Sequence, residues 1–119
     1  MNNVEVNSHG TNKAIKFNIL NNDLMREAGF SFIDSLNKWF FSANLFRDIS
    51  FSVSIPANGD EAWIDVIDED FGQPYDYQYM LERNPDAEFP NKIKEKVEAN
   101  MLFLKLRGII EGHEYGQYI

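Results

Sequence analysis

An α+β fold, an antiparallel sheet built from β-hairpins with helices packed on one face, is the architecture this sequence predicts. Three features predict it. Two apolar alternations flank Asn58-Gly59, a stretch with helical spacing runs from Pro90 to Arg107, and short alternating segments stand near both ends of the chain. With 119 residues, 44% of them hydrophobic and 14% aromatic, the chain has material for one core, so a single domain over 1–119 is expected.

The elements follow in order. Val4 and Val6, then Ile15, Phe17 and Ile19, alternate around the turn-rich SHGTN at 8–12, which predicts a first hairpin. Asn22 or Asp23 can cap a helix near 23–45, in which Leu24, Ala28, Ile33, Leu36 and Phe40 recur at near-helical spacing and Gly29 is a point of division. The next hairpin, 49–55/62–68, is specified in detail. An Asn-Gly turn pairs Ala57 with Asp60, and counting outward sets Ile55, Val53 and Phe51 against Ala62, Ile64 and Val66 on an apolar face. Ser54, Ser52 and Ser50 then oppose Trp63, Asp65 and Ile67 on the other face. The missing N–H of Pro56 should point away from the partner strand, leaving the outer side unpaired there. DEDFGQP is a loop, PYDYQYMLER a short helix and NPDAEFP a second loop. The long C-terminal helix near 90–107 has Pro90 in its first turn, Ile93, Val97, Met101 and Leu104 as its buried stripe, and Gly108 at its left-handed end. IIEGHEYGQYI reads as a closing strand, turn and strand.

Composition removes several functions. No stretch approaches the roughly 18 apolar residues of a membrane span, and MNNVEVNSHG has neither a basic leader nor an apolar segment. A cytoplasmic protein is expected, bacterial, or in the host cytoplasm if phage-encoded, since the abundant Asn, Lys, Ile, Phe and Tyr have AT-rich codons. Without cysteine there is no disulfide framework, thiol nucleophile or thiolate metal site. The net charge of −8 is concentrated: residues 60–88 hold ten acids and one base, whereas 1–59 hold five of each. Such a surface repels nucleic-acid phosphates and anionic lipid, so neither direct nucleic-acid binding nor membrane binding is expected. A basic protein, by contrast, is drawn in.

Few chemical motifs stand out against this background. Asp65, Asp68, Glu69 and Asp70 are hard oxygen ligands, but no alignment satisfies a calcium loop: begun at Asn58, position 6 is Trp63, and begun at Asp68, the glycine falls at position 5. Neither a metal nor a cofactor is expected. Asp65, between Trp63 and Ile67 on its strand face, is the one candidate for a carboxylate-dependent enzyme or ligand pocket, against the plainer reading of an acid on the wet side of a sheet. His9 and His113 stand in turns, and no serine occupies a nucleophile elbow. The last helix followed by IIEGHEYGQYI has the order of a winged-helix regulator. Its bases, Lys92, Lys94, Lys96, Lys105 and Arg107, are nevertheless balanced by Glu95, Glu98, Glu111 and Glu114.

What remains is the acidic stretch itself. Asp60, Glu61, Asp65, Asp68, Glu69 and Asp70, with Tyr75, Asp76 and Tyr77 beside them, combine charge with aromatics as protein interfaces do. They do not encode a phosphate ladder. Glu61, Asp65 and Glu69 are about 13 Å apart along a strand, against about 3.4 Å per phosphate in DNA. The expected function is a non-enzymatic module whose acidic edge engages a basic partner, with exposed aromatics of 30–46 as a contact for a homodimer. PYDYQYMLERNPD followed by RGIIEGHEYGQYI, together with small size, acidity and absence of cysteine, resembles small accessory proteins of low-GC Gram-positive phages and prophages. That resemblance implies an inhibitor or adaptor, such as one acting on a host-defence or toxin nuclease. It transfers no functional residue.

Overall fold

The computed structural model describes residues 15–58 and 62–111. Along the chain it places β1 (Lys16–Phe17), α1 (Asn22–Glu27), β2 (Ser31–Ile33), a 3-10 turn (Asp34–Leu36), β3 (Lys38–Phe46), β4 (Ile49–Pro56) and β5 (Trp63–Asp68). β6 (Gln73–Pro74), α2 (Tyr77–Arg83), α3 (Glu88–Leu106) and β7 (Ile110–Glu111) follow. β2 to β6 form an antiparallel five-stranded sheet in sequence order, and β1 pairs separately with β7. The α+β class, the hairpin-built sheet and the long C-terminal helix are all present.

The 49–55/62–68 hairpin has the register counted from its turn: Ser54 faces Trp63, Val53 faces Ile64, Ser52 faces Asp65, Phe51 faces Val66 and Ser50 faces Ile67. Gly59 and Asp60, the expected turn partner of Ala57, lie outside the described residues, as do Val4, Val6, His9 and His113. On its other side β4 pairs with β3 along nearly its whole length, down to the rung Lys38↔Pro56. The outer side at Pro56 is therefore occupied, contrary to expectation.

The helix expected over 23–45 ends at Glu27. Asn21, rather than Asn22 or Asp23, caps it by accepting a hydrogen bond from the Leu24 N–H at 2.9 Å. Gly29 then turns the chain at φ +102°, and β2, the 3-10 turn and β3 take up residues 31–46. The run WFFSANLF carries bulky aromatics suited to a pleated surface. Alternation sends Trp39, Phe41 and Leu45 into the core, which a single helical stripe cannot do for so dense a set. Phe41 is the hub, with ring centroids 5.2 Å from Phe30, 6.2 Å from Phe51 and 6.4 Å from Phe103.

α3 supplies the other wall of the core. Ile93, Val97, Met101 and Leu104 are fully buried and join Phe51, Val53, Ile55, Ile64 and Val66 in one contiguous cluster. Gly108, at φ +78°, ends the helix in the left-handed conformation expected of it. The opposite face of the sheet carries Phe40, Ser42 and Asn44 from β3, the three serines of β4, and Trp63, Asp65 and Ile67 from β5. After this helix β7 pairs with β1 from the other end of the chain, and residues 112–119 of the expected wing lie outside the described residues.

Truncating Met101 to Ala should cost about 2–5 kcal/mol, measured by urea unfolding at unchanged m. Leu106→Ala, at a site 77% exposed, should change stability by less than about 0.5 kcal/mol. Gly29→Ala should cost more than about 1 kcal/mol, because a Cβ there adopts an unfavourable φ and stands 3.2 Å from the Phe41 ring.

Candidate functional site

The acids gather at one end of the sheet because the hairpin register carries them there. β4 and β5 pair as far as Ile49↔Asp68, and the Glu69 N–H then donates to the Asp48 carbonyl at 2.8 Å. Asp48, distant in sequence, thereby enters the acidic cluster. The Ser50 hydroxyl donates to Glu69 Oε1 at 2.5 Å, and the Asp70 N–H donates to Asp68 Oδ1 at 3.0 Å. Phe71, 75% exposed, projects beside them.

Asp70 senses this crowding. A hydrogen bond shared with the Asp48 carboxyl, and then the repulsion of that same charge, raise its carboxyl above the ordinary range, with smaller contributions from desolvation and Asp68. Among the described residues no group of three or more His, Asp or Glu side chains converges to hold a metal.

The remaining expected contact residues are dispersed. Asp65 lies on the opposite sheet face, across from Ser52. It is solvent-exposed as a residue, yet its strand neighbours displace enough water to raise its carboxyl, an effect that Lys38 partly offsets. The Lys38 ammonium bonds Ser54 Oγ at 3.3 Å and lies 5.5 Å from the Phe40 ring. Asp76 caps α2, accepting from the Tyr79 N–H at 3.0 Å. Tyr77 is fully buried and belongs to the core, so it is withdrawn from any contact surface. Tyr75 is half-buried with its ring edge-on to Phe89, and burial first, then Asp68, raises its hydroxyl pKa. In its place Tyr79 is exposed, its hydroxyl accepting from Arg83 at 2.7 Å. Asp60 and Glu61 lie outside the described residues.

A cleft of about 630 Å³ opens where the β3–β4 turn meets the start of α3, with Phe46, Arg47, Phe89 and Lys92 among its walls. Nothing in local spacing announces it, since its two sides are over forty residues apart in sequence. Arg47 adopts φ +52° in the turn, and its guanidinium lies 5.3 Å from the Phe46 ring centroid.

No family model matches the sequence, and no curated protein matches it. The fold does recur: a DUF1831 family protein from Lactobacillus plantarum superposes with a TM-score of 0.69 over 93% of this chain and 97% of its own, at 12% identity. The likeness spans nearly the whole of both chains and establishes a shared fold.

The raised Asp70 carboxyl has a direct consequence for stability. The stabilisation its proton provides is complete below the ordinary Asp pKa and is lost as pH rises through the folded value. Asp70→Asn should therefore raise Tm at neutral pH, and the gain should shrink as the buffer is acidified through the carboxylate range. A thermal-melt series against pH checks this.

Proposed function

We propose that this chain is a non-catalytic protein-binding module whose acidic sheet end docks a basic surface of another protein. One observation carries the reading: Asp48, Asp68, Glu69 and Asp70 come together beside the exposed ring of Phe71, and none makes an ion pair among the described residues. Packed carboxylates raise one another's cost of ionisation, and a cation from a partner relieves that cost. An exposed aromatic beside them supplies apolar area that charge alone does not. A nuclease groove built to hold nucleic acid is a surface of the matching sign, in keeping with an inhibitor. The carboxylates lie on a turn, a strand end and a loop rather than at even steps along a strand, so the complementarity is that of a charged patch, not of a copied phosphate lattice.

A second reading, a carboxylate-dependent enzyme or ligand site, draws on Asp65, partly desolvated on the serine-lined face. The two readings use different residues and separate cleanly.

Capture from a lysate of the source cell with the immobilised full chain tests the first. A basic protein should be retained at low salt and released at high salt. Retention should fall by about tenfold or more for the combined variant D48N/D68N/E69Q/D70N with its circular dichroism unchanged. Undiminished capture by that variant would refute the acidic-end assignment. Loss confined to Asp65→Asn would transfer the function to the serine-lined face.

A further inference from the structure

We infer that the open half of the β3 edge is a docking site for an extended acidic segment of another protein, which adds to the sheet as a sixth strand. This surface is distinct from the acidic end and takes a partner of opposite charge, so it does not rest on the function proposed above.

The main-chain groups come first. β2 pairs only with Lys38–Phe40, whereas β3 continues to Phe46. The Ala57 N–H donates to the Asn37 carbonyl at 2.9 Å, so as far as the register shift after Asn44 the odd-numbered residues of β3 turn their main-chain groups toward β4 and the even-numbered ones turn theirs outward. Those of Phe40 meet Ser31. Beyond it, Ser42 and Asn44 face outward with no strand partner among the described residues, and both are exposed. An edge of this kind is a template for strand addition unless something blocks it; Ser42 and Asn44 precede the register shift between Asn44 and Phe46, and over them neither a proline nor an inward-pointing charge intervenes.

Charge then selects the occupant. Phe46 packs against Phe89 and Phe41 against Phe103, which fixes the flank of α3 that runs beside β3. Five strand residues span about 17 Å and fourteen helix residues about 21 Å, so the two elements lie nearly side by side, in opposite directions. Lys92 and Lys96 belong to this flank, and Arg47 stands at the end of the strand. The Lys92 ammonium is 4.7 Å and the Arg47 guanidinium 5.3 Å from the Phe46 ring centroid. None of the three makes an ion pair among the described residues, although Asp86, Glu88 and Glu95 also line the cleft. Three cations without carboxylate partners share one flank in a chain of net charge −8.

Spacing favours an extended ligand. Side chains on one face of an added strand repeat about every 6.6 Å, and Lys92 and Lys96 are about 6 Å apart along the helix axis. Carboxylates at alternate positions of the incoming segment therefore match Lys92 and Lys96, and the cleft beside Arg47 receives the residue at its end. The β3 strand of a second copy, Lys38–Phe46, carries no acid to meet these cations.

The test uses the full chain and a labelled peptide of alternating Glu and Val, followed by fluorescence anisotropy at low salt. The peptide should bind, and K92E/K96E should weaken it by about tenfold or more. Exchange at the Ser42 and Asn44 amides should slow when the peptide is present, a readout needing no variant. Ser42→Pro, which removes an outward N–H, should abolish binding with the far-ultraviolet spectrum unchanged. Absence of binding, binding indifferent to K92E/K96E, or unprotected amides would each overturn the inference. So would a wild-type dimer that Ser42→Pro dissociates, which assigns the edge to a second copy, or tighter binding of single-stranded oligothymidylate, which assigns it to nucleic acid. A peptide of alternating Lys and Val reports on the acidic end alone and should be unaffected by K92E/K96E, so each surface can fail without the other.

Discussion

β4 is held by a full strand on each side, and that double pairing is the constraint from which the rest of the molecule follows. A side chain on a strand has two faces to choose from, and a one-residue slip exchanges them all. Because Phe51, Val53 and Ile55 must be buried, the phases of both β3 and β5 are determined at once: Trp39 and Phe41 on one side and Ile64 and Val66 on the other reach the same core as α3. Ser50, Ser52 and Ser54 necessarily take the other face. Their small side chains leave Phe40 and Trp63 to flank the row defined by Phe40↔Ser54 and Ser54↔Trp63. The same pairing, followed to its end, delivers Asp48 to Glu69 and assembles the acidic cluster.

The hairpin around β4 was legible because two independent alternations had to agree under one turn, and only one register lets them. The segment 31–46 was not, for an equally physical reason. Where aromatic and aliphatic residues crowd together, a subset will match a helical period while the remainder match a strand, and counting cannot decide between them. What decides is the neighbouring sheet: an unpaired flank of β4 offers main-chain hydrogen bonds and a large buried surface, and Trp39, Phe40 and Phe41 are suited to a pleated surface. Gly29, with positive φ, precedes the region in which this happens, and Asn37, also with positive φ, divides it. Asn37 closes the 3-10 turn just before β3 begins, and nothing in its own identity distinguishes it from the chain's many other asparagines.

Site residues were less legible than the fold. Proximity in sequence grouped Tyr75, Asp76 and Tyr77 with the acids, yet a helix start divides such neighbours: Asp76 caps, Tyr77 points inward, and Tyr79 is the ring left outside. Asp48 was accessible in principle, since the register that sets Ile49 against Asp68 also brings residue 48 beside 69. Along α3 the obstacle was averaging. Its lysines and glutamates nearly cancel in number, but Val97 and Leu104 anchor one face, Phe89 and Phe103 turn a second toward β3, and Lys92 and Lys96 fall on that second face. Net charge carries no information about faces until a buried stripe fixes the rotation of the helix.

The β3–β4 turn is where the two charged regions meet. Arg47 and Asp48 are consecutive, and the left-handed conformation of Arg47 lets them diverge, the guanidinium toward Phe46 and the cleft, the carboxylate toward Asp70. A tight ion pair within this turn would have cancelled both. Separation has an electrostatic consequence, because opposite charges held on different faces of a small body give it a dipole in addition to its net charge. Within about 8 to 10 Å, the range over which salt at physiological strength leaves fields effective, a partner senses the local patch rather than the total of −8. A chain that repels anions at long range can therefore still present a cationic strand edge at contact. The turn that keeps Arg47 from Asp48 is accordingly as much a part of both surfaces as the acids and lysines themselves.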